Sequence, residues 1–239
     1  MKKILFTGGS GLLGSEFQKI FIEGVYPTHK EFDITDYKSM EKYLSKKKIS
    51  CIVHAAAFIS PPKIDNDPLL AIETNITGTI NIVKLCMKNN IKMVYISSDY
   101  VFKGDKGKYK EEDPLYPINK YGWSKLGGEC AVRMYDNSLI IRTTFGPNIF
   151  PYDNAFIDQW TSREKVAVIA GLIIKLIKKN ALGIYHVGGK RKTVFEYAKK
   201  VSPLKNTGKI SIKDVTFKLP KDTSLDCSKQ NKLLKINIR

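Results

Sequence analysis

Long apolar runs are missing from this chain of 239 residues; the longest, residues 166–174, falls far short of the ~20 that a bilayer-spanning helix needs. Histidine and cysteine are scarce. Cys51, Cys86, Cys130 and Cys227 form no Cys-x-x-Cys, and none stands at metal-ligand spacing from His29, His54 or His186, so a zinc module is excluded and free thiols of a reducing cytosol are expected. The opening MKKILFTGGSGLLG is basic and briefly apolar, but glycines interrupt it at once and no small-residue cleavage site follows, so no secretory signal is read there. Acidic residues are also short, 23 against 40 Lys and Arg, for a formal charge of +17. Such a surplus admits nucleic acid, an anionic membrane or an acidic small molecule such as a nucleotide diphosphate. The aromatics do not interleave with the basic runs as a single-strand-binding surface requires. Clusters such as Lys46-Lys47-Lys48 and Lys178-Lys179 fall instead at the ends of expected helices, where they complement the dipole. Neither nucleic acid nor membrane is therefore expected as a partner.

What is present is a regular alternation. An apolar run at residues 3–7 predicts a buried strand, followed by a glycine turn and an amphipathic helix over 12–22. Val25-Tyr26 predicts a weak second strand ended by Pro27, and Asp33 or Thr35 a cap for a helix reaching 47. Strands follow at 52–55, 92–97 and 139–142, with helices over 69–89 and 121–134 between them. This order specifies an α/β fold, a Rossmann-like doubly wound parallel sheet covered on both faces. The alternation lapses near residue 145. Beyond it lie a loop with Pro147 and Pro151, helices near 162–179 and 194–201, a strand at 184–187 and a short helix after Asp226. Two parts are expected: a nucleotide-binding domain over 1–145 and a small substrate lobe over 146–239.

The turn TGGSGLLG satisfies two glycine templates, Gly9-x-Gly11-x-x-Gly14 and Gly8-x-x-Gly11-x-x-Gly14. Glycine permits the sharp turn, the approach of backbone N–H groups to a pyrophosphate, and close packing of helix on strand. Its place at the first strand–helix junction gives the match its weight, and nucleotide binding is expected. At the end of the second strand, a carboxylate on the ribose hydroxyl favours NAD and a basic group favours the 2′-phosphate of NADP. Thr28, His29 and Lys30 come first there, ahead of Glu31 and Asp33. That order leans towards NADP, with NAD as the alternative.

Tyr-x-x-x-Lys occurs four times, at Tyr26/Lys30, Tyr43/Lys47, Tyr116/Lys120 and Tyr121/Lys125. About two such matches are expected from composition alone, so context must choose. Pro27 and Pro117 interrupt two pairs, and Tyr43/Lys47 lies on a polar crossover. Tyr121 and Lys125 share one face of a helix, and the strand before it ends in Ser97-Ser98, at the sheet edge where doubly wound folds bind ligands. A phenol has a pKa near 10, and lowering it towards 7 takes about 4 kcal/mol, which a nearby ammonium and an oxidised nicotinamide can supply. Ser98, Tyr121 and Lys125 are thus the expected catalytic set: Tyr121 gives a proton, Ser98 orients the substrate oxygen, and Lys125 also holds the nicotinamide ribose.

The stretches TGGSGLLG, FDITD, VHAAA, ETNITGT, ISSDYVFKG, PINKYGWSKLGGE, IIRTTFG, GIYHVGG and SLDCSK fall in order over most of the chain. Together they resemble the extended short-chain dehydrogenase/reductases and, more narrowly, the dTDP-4-dehydrorhamnose reductase family. The resemblance implies a Rossmann domain, NADPH or NADH, and reduction of a 4-keto group on a nucleotide-linked 6-deoxy sugar in the cytoplasm. By position it places Gly8, Ser10, Gly11, Leu12, Leu13, Asp33, Ile34, Ala55 and Ala56 around the cofactor, with Gly14 completing the turn. Asn75, Tyr100 and Val101 come near the site. The resemblance also implies a homodimer joined through the two long helices, with cover of the sheet as the alternative use of their apolar faces. One departure stands out: only residues 143–161 precede the next helix, where the family has a longer segment, so the sugar lobe is abbreviated. Asn154, Phe156 and Trp160 are the candidate sugar contacts there. Two other readings stay open, a bifunctional epimerase–reductase and a regulatory subunit like that of methionine adenosyltransferase. His54 and His186 are expected to pack rather than react.

Overall fold

The computed structural model describes residues 3–236. Five strands form one parallel sheet: β1 (Lys3–Thr7), β2 (Ile49–His54), β3 (Lys92–Ile96), β4 (Ser138–Thr143) and an outer strand described below. Consecutive strand residues face opposite sides. Phe6, Val53, Val94 and Ile141 pack on one side against Leu13 and Phe17 of α1 (Leu12–Ile20) and Ile169 and Ile173 of a later helix. Leu5, Ile52, Met93 and Ile140 pack on the other, against Met40 and Leu44 of α2 (Tyr37–Leu44) and Ile82 and Leu85 of a helix after β2. A sheet apolar on both faces must be covered twice, which is why these strands read as unbroken apolar runs.

The weak strand expected at Val25 is a single bridge to Leu5, where the Phe6 N–H donates to the Val25 carbonyl at 2.9 Å and the Val25 N–H to the Ile4 carbonyl at 2.8 Å. Gly24 and Pro27 leave no room for a longer pairing. Val25 lies on one side of β1 and β2 on the other, so the chain reverses its winding at β1 and opens a crevice beyond the strand ends.

After β2 come α3 (Pro61–Asn66), α4 (Pro68–Ala71) and α5 (Gly78–Asn89). The helix expected over 69–89 is thus interrupted by a wide π turn at Ile72–Thr77 that carries Asn75. Next is α6 (Lys120–Val132), begun by Asn119, whose side chain accepts from the Gly122 N–H at 2.8 Å. The cap of α2 is Asp36, accepting from the Ser39 N–H at 3.0 Å. Asp33 instead accepts from the Thr35 N–H and hydroxyl, at 2.9 and 2.8 Å, so neither expected cap serves.

Past β4 the order is β5 (Phe145–Gly146), β6 (Asn154–Phe156), β7 (Trp160–Thr161), β8 (Glu164–Lys165), α7 (Val166–Lys178), β9 (Gly183–Val187), β10 (Lys192–Thr193), α8 (Val194–Val201), β11 (Gly208–Ile210) and α9 (Ser228–Leu234). Past residue 145 the chain still contributes to the main sheet. β9 pairs with β4 from Leu139↔Gly183 to Thr143↔Val187 as the fifth strand of the main sheet, and α7 packs on α1. The chain leaves the sheet domain after β5 and returns for α7 and β9. Helix α7 starts four residues later than expected, because Glu164–Lys165 first pair with Phe145–Gly146. A separate small core, Phe150, Ala155, Val194, Tyr197, Ala198 and Val201, holds α8 to the lobe.

Candidate functional site

A cavity of ≈ 930 Å³ opens along the C-terminal ends of the strands. Its floor is the glycine turn. Gly8 has φ +72°, and a Cβ there would stand 2.8 Å from the Ala56 backbone nitrogen. A Cβ on Gly14 would collide with the Gly8 carbonyl. Gly11 begins α1 with no side-chain cap, and the first turn carries no acidic residue, so its N–H groups and dipole are available to an anion in the cavity. Gly8, Ser10, Gly11, Leu12, Leu13 and Gly14 all line this end. The donor set fits a pyrophosphate.

Further along, Tyr26, Pro27, Thr28, His29, Phe32, Asp33 and Ile34 line the wall. Glu31 is occupied locally, accepting from the Thr28 N–H and hydroxyl at 2.8 Å each. His29 stands 3.6 Å from Asp33. Lys30, expected beside His29, is not among the residues lining the cavity. Ala55 and Ala56 line the opposite side, steadied by the Ala56 N–H donating to the Thr7 hydroxyl at 3.2 Å. Beneath them His54 bonds the hydroxyls of Thr7 at 2.8 Å and Thr79 at 3.0 Å, and burial pushes its pKa down to about 3, helped by Lys125. It packs as a neutral ring.

At the other end the structure brings Ser98, Tyr121 and Lys125 together on one wall. Ser98 accepts from the Tyr100 N–H at 3.1 Å and donates to Asp99 Oδ1 at 3.2 Å. Tyr121 and Lys125 lie one turn apart on α6, and Lys125 Nζ sits 4.3 Å from the centre of the Tyr95 ring. Burial sets the electrostatics of both. It raises the Tyr121 phenol above its ordinary pKa, against a hydrogen bond with Ser98, and it lowers Lys125 to about 7, against the charge of Glu129. Without the charge of an oxidised nicotinamide beside it, desolvation outweighs the other influences on the phenol.

Asp99 is 3% exposed, and burial raises its carboxyl to about 6, opposed first by the Thr223 hydroxyl, which donates to it at 2.6 Å. Glu129 is wholly buried between Arg142 Nη2 at 2.7 Å, Ser97 Oγ at 2.8 Å and Arg133 Nη2 at 3.0 Å, tying α6 to the ends of β3 and β4. His186 packs in the same layer, its Nδ1 3.0 Å from the Tyr109 carbonyl.

Several expected contacts lie elsewhere. Asn75 is off the cavity wall: the π turn aims its amide at Phe58, accepting from the N–H at 2.7 Å and donating to the carbonyl at 2.8 Å. It supports the alanine loop from behind. Tyr100 does line the cavity, its ring edge-on to Tyr121 at 5.9 Å, but Val101 turns into the core with Phe102 and Tyr109. Asn154 and Phe156 pair with β11, and Trp160 lies under the Arg191 guanidinium at 3.7 Å; none of the three lines the cavity. The wall there is Thr143, Thr144, Phe145, Pro147, Tyr152 and Arg163. A signal existed for the first three, since IIRTTFG runs off the C-terminal end of a parallel strand. Arg163 had none.

The family model described as the RmlD substrate binding domain matches residues 1–148. Methionine adenosyltransferase 2 subunit beta of Pongo abelii is 27% identical over 273 residues, covering 95% of this chain and 81% of that protein. That alignment is longer than the 239 residues of this chain, so the relative carries segments absent here. Among solved structures, a hypothetical dTDP-4-dehydrorhamnose reductase from Sulfolobus tokodaii superposes with a TM-score of 0.86 at 32% identity, covering 96% of this chain and 94% of the other. The dTDP-4-dehydrorhamnose reductase of Bacillus anthracis, solved in complex with NADP, gives a TM-score of 0.87 at 26% identity over 98% of each chain.

Proposed function

This chain belongs to the family of the RmlD substrate binding domain, and from that membership we propose that it is an NADP-dependent reductase of a nucleotide-linked 4-keto-6-deoxy sugar. The observation that carries the reading is one cavity with a glycine-floored anion cradle at one end and Ser98, Tyr121 and Lys125 at the other. The reductase of Bacillus anthracis, similar over nearly its whole length, was solved with NADP. Residues 8–14 would hold the pyrophosphate, His29 the 2′-phosphate side, Ala55 and Ala56 the space beside the dinucleotide, and Lys125 the nicotinamide ribose. The sheet domain, including Val166–Lys178 and Gly183–Val187, is the cofactor part, and the remaining segments past residue 146 form the sugar lobe.

When bound there, NADPH would supply the hydride for the carbonyl carbon. Tyr121 gives its proton to the carbonyl oxygen as that oxygen gains charge, and Ser98 donates a hydrogen bond to the same oxygen. A phenol raised by burial stays protonated before the reaction, which is the state a proton donor needs. Lys125, lowered to about 7, can exchange a proton with solvent near neutral pH and so restore the phenol.

The test mixes the protein, NADPH and a panel of nucleotide 4-keto-6-deoxy sugars and follows loss of reduced-nicotinamide absorbance. Turnover of at least one sugar is expected, with a fall of about a hundredfold or more in Tyr121→Phe. A second reading, a nucleotide-binding regulatory subunit, is favoured by the match to methionine adenosyltransferase 2 subunit beta across 95% of the chain. Tight NADPH binding with no turnover on the whole panel would put that reading first. The epimerase–reductase reading requires a further acid/base beside the sugar, and Asp99 is held by Ser98 and Thr223.

A further inference from the structure

Four of the arginines lie in the described residues, and three are paired with carboxylates: Arg133 and Arg142 with Glu129, Arg191 with Asp222. Arg163 is the exception. Its Nε is buried with no hydrogen-bond partner, and among the described residues no carboxylate lies within ion-pair reach of its guanidinium. An arginine cannot shed its charge to relieve such a position. Arg163 is half-buried, and a partly desolvated charge without a partner is unfavourable, so the arrangement points to a counter-anion that arrives from outside.

The position is also held firmly. The Arg163 N–H donates to the Thr161 hydroxyl at 3.1 Å, and its carbonyl accepts from Lys192 Nζ at 2.9 Å. The next residue, Glu164, is fixed by Lys192 and Lys200 and pairs in β8 with Phe145. The guanidinium lies 6.0 Å from the centre of the Tyr197 ring and lines the cavity with Phe145, Pro147 and Tyr152. Its field reaches Asp99 and Tyr100, the residues that follow Ser98. It therefore belongs to the end of the cavity that holds Tyr121, whereas the glycine turn stands at the other.

We propose that Arg163 is the receptor for the diphosphate of the nucleotide sugar, its planar fork taking two phosphate oxygens at the substrate end of the cavity. This rests on the reductase reading above and adds to it the residue that selects a nucleotide-linked sugar over a free one. Two anions could in principle meet the fork, the substrate diphosphate and a phosphate of the dinucleotide. The first is favoured because the glycine turn already offers the dinucleotide its donors.

The experiment measures binding of dTDP and UDP to the NADP-loaded protein by calorimetry, in wild type, Arg163→Gln and Arg163→Lys, alongside NADPH affinity. Nucleoside diphosphate affinity is expected to fall about thirtyfold or more in Arg163→Gln and less in Arg163→Lys, which keeps the charge but not the fork, with NADPH affinity within about twofold. Retained NADPH binding also shows that the variant is folded. Unchanged diphosphate affinity, no diphosphate binding by wild type, or a parallel loss of NADPH affinity would each overturn the inference. The readout separates the two proposals. Diphosphate binding lost in the variant of a protein that turns over no sugar leaves this inference standing and removes the reductase reading; turnover with a KM indifferent to Arg163→Gln does the reverse.

Discussion

The two ends of the cavity are built from different materials. At the glycine end the groups facing the cavity are backbone N–H groups and a helix terminus, with no acidic residue in the first turn. At the Tyr121 end they are ionisable side chains displaced by burial: a raised phenol, a lysine at about 7, a carboxyl at about 6 and an unpaired guanidinium. Backbone recognition fixes a shape and carries no titration of its own. Side-chain recognition makes chemistry possible and makes it depend on what is buried beside what. One end is therefore suited to holding a constant partner, the other to acting on one.

Breaking the reacting end should have the largest effect, the loss of about a hundredfold or more in Tyr121→Phe with NADPH still bound. The Arg163→Gln loss of nucleoside diphosphate affinity comes next. At the backbone end, Gly14→Ala drives a methyl into the Gly8 carbonyl. About tenfold weaker NADPH binding or worse is expected by titration, in proportion to the overpacking. If Gly14→Ala instead spared binding and lowered turnover, the division of labour would be wrong.

Lys125 sharpens the contrast through pH. Its pKa is about 7 folded and about 10.4 in an unfolded chain, so between those values the unfolded state holds a proton that the folded state has released. Stability from this group therefore rises with pH across that window and is lost as pH falls back through about 7. Thermal melts of Lys125→Met should show a flatter rise from pH 7 to 10 than wild type, by roughly the linkage of one proton. An identical slope would mean that Lys125 keeps its ordinary pKa. The smallest effect concerns the ribose end. His29→Ala should reduce the preference for NADPH over NADH by about a few-fold, the scale of an exposed polar contact to phosphate, while Lys30→Ala, outside the cavity lining, leaves it within about twofold. Equal affinity of wild type for both cofactors would remove the argument from this segment.

The same division explains what the sequence made legible. The glycine turn could be read because its requirement is local: seven consecutive residues contain both the sharp bend and the helix start. Tyr121 with Lys125 could be read because helical spacing and a serine-ended strand lie within one unit of chain. The five-strand sheet was only partly legible. GIYHV looked like part of a separate lobe, since its partner β4 lies some forty residues earlier and only pairing reveals that it closes the main sheet. Asn75 stands behind the cavity wall, on a π turn that no linear pattern announces, with its amide bonded to Phe58 and Ser124. Trp160 and Phe156 looked like sugar contacts by type, but Arg191 and β11 claim them. Arg163 gave no signal at all. Its meaning lies in the lack of a partner, which no linear pattern records.

The most direct trial of the account uses NADPH carrying deuterium at the transferable position, mixed with the protein and the sugar it turns over best in the panel. Deuterium is expected on carbon 4 of the sugar with wild-type protein, read by mass spectrometry and NMR, and only a trace in the same time with Tyr121→Phe. A protein that binds the labelled cofactor tightly and moves deuterium to no sugar in the panel contradicts the account.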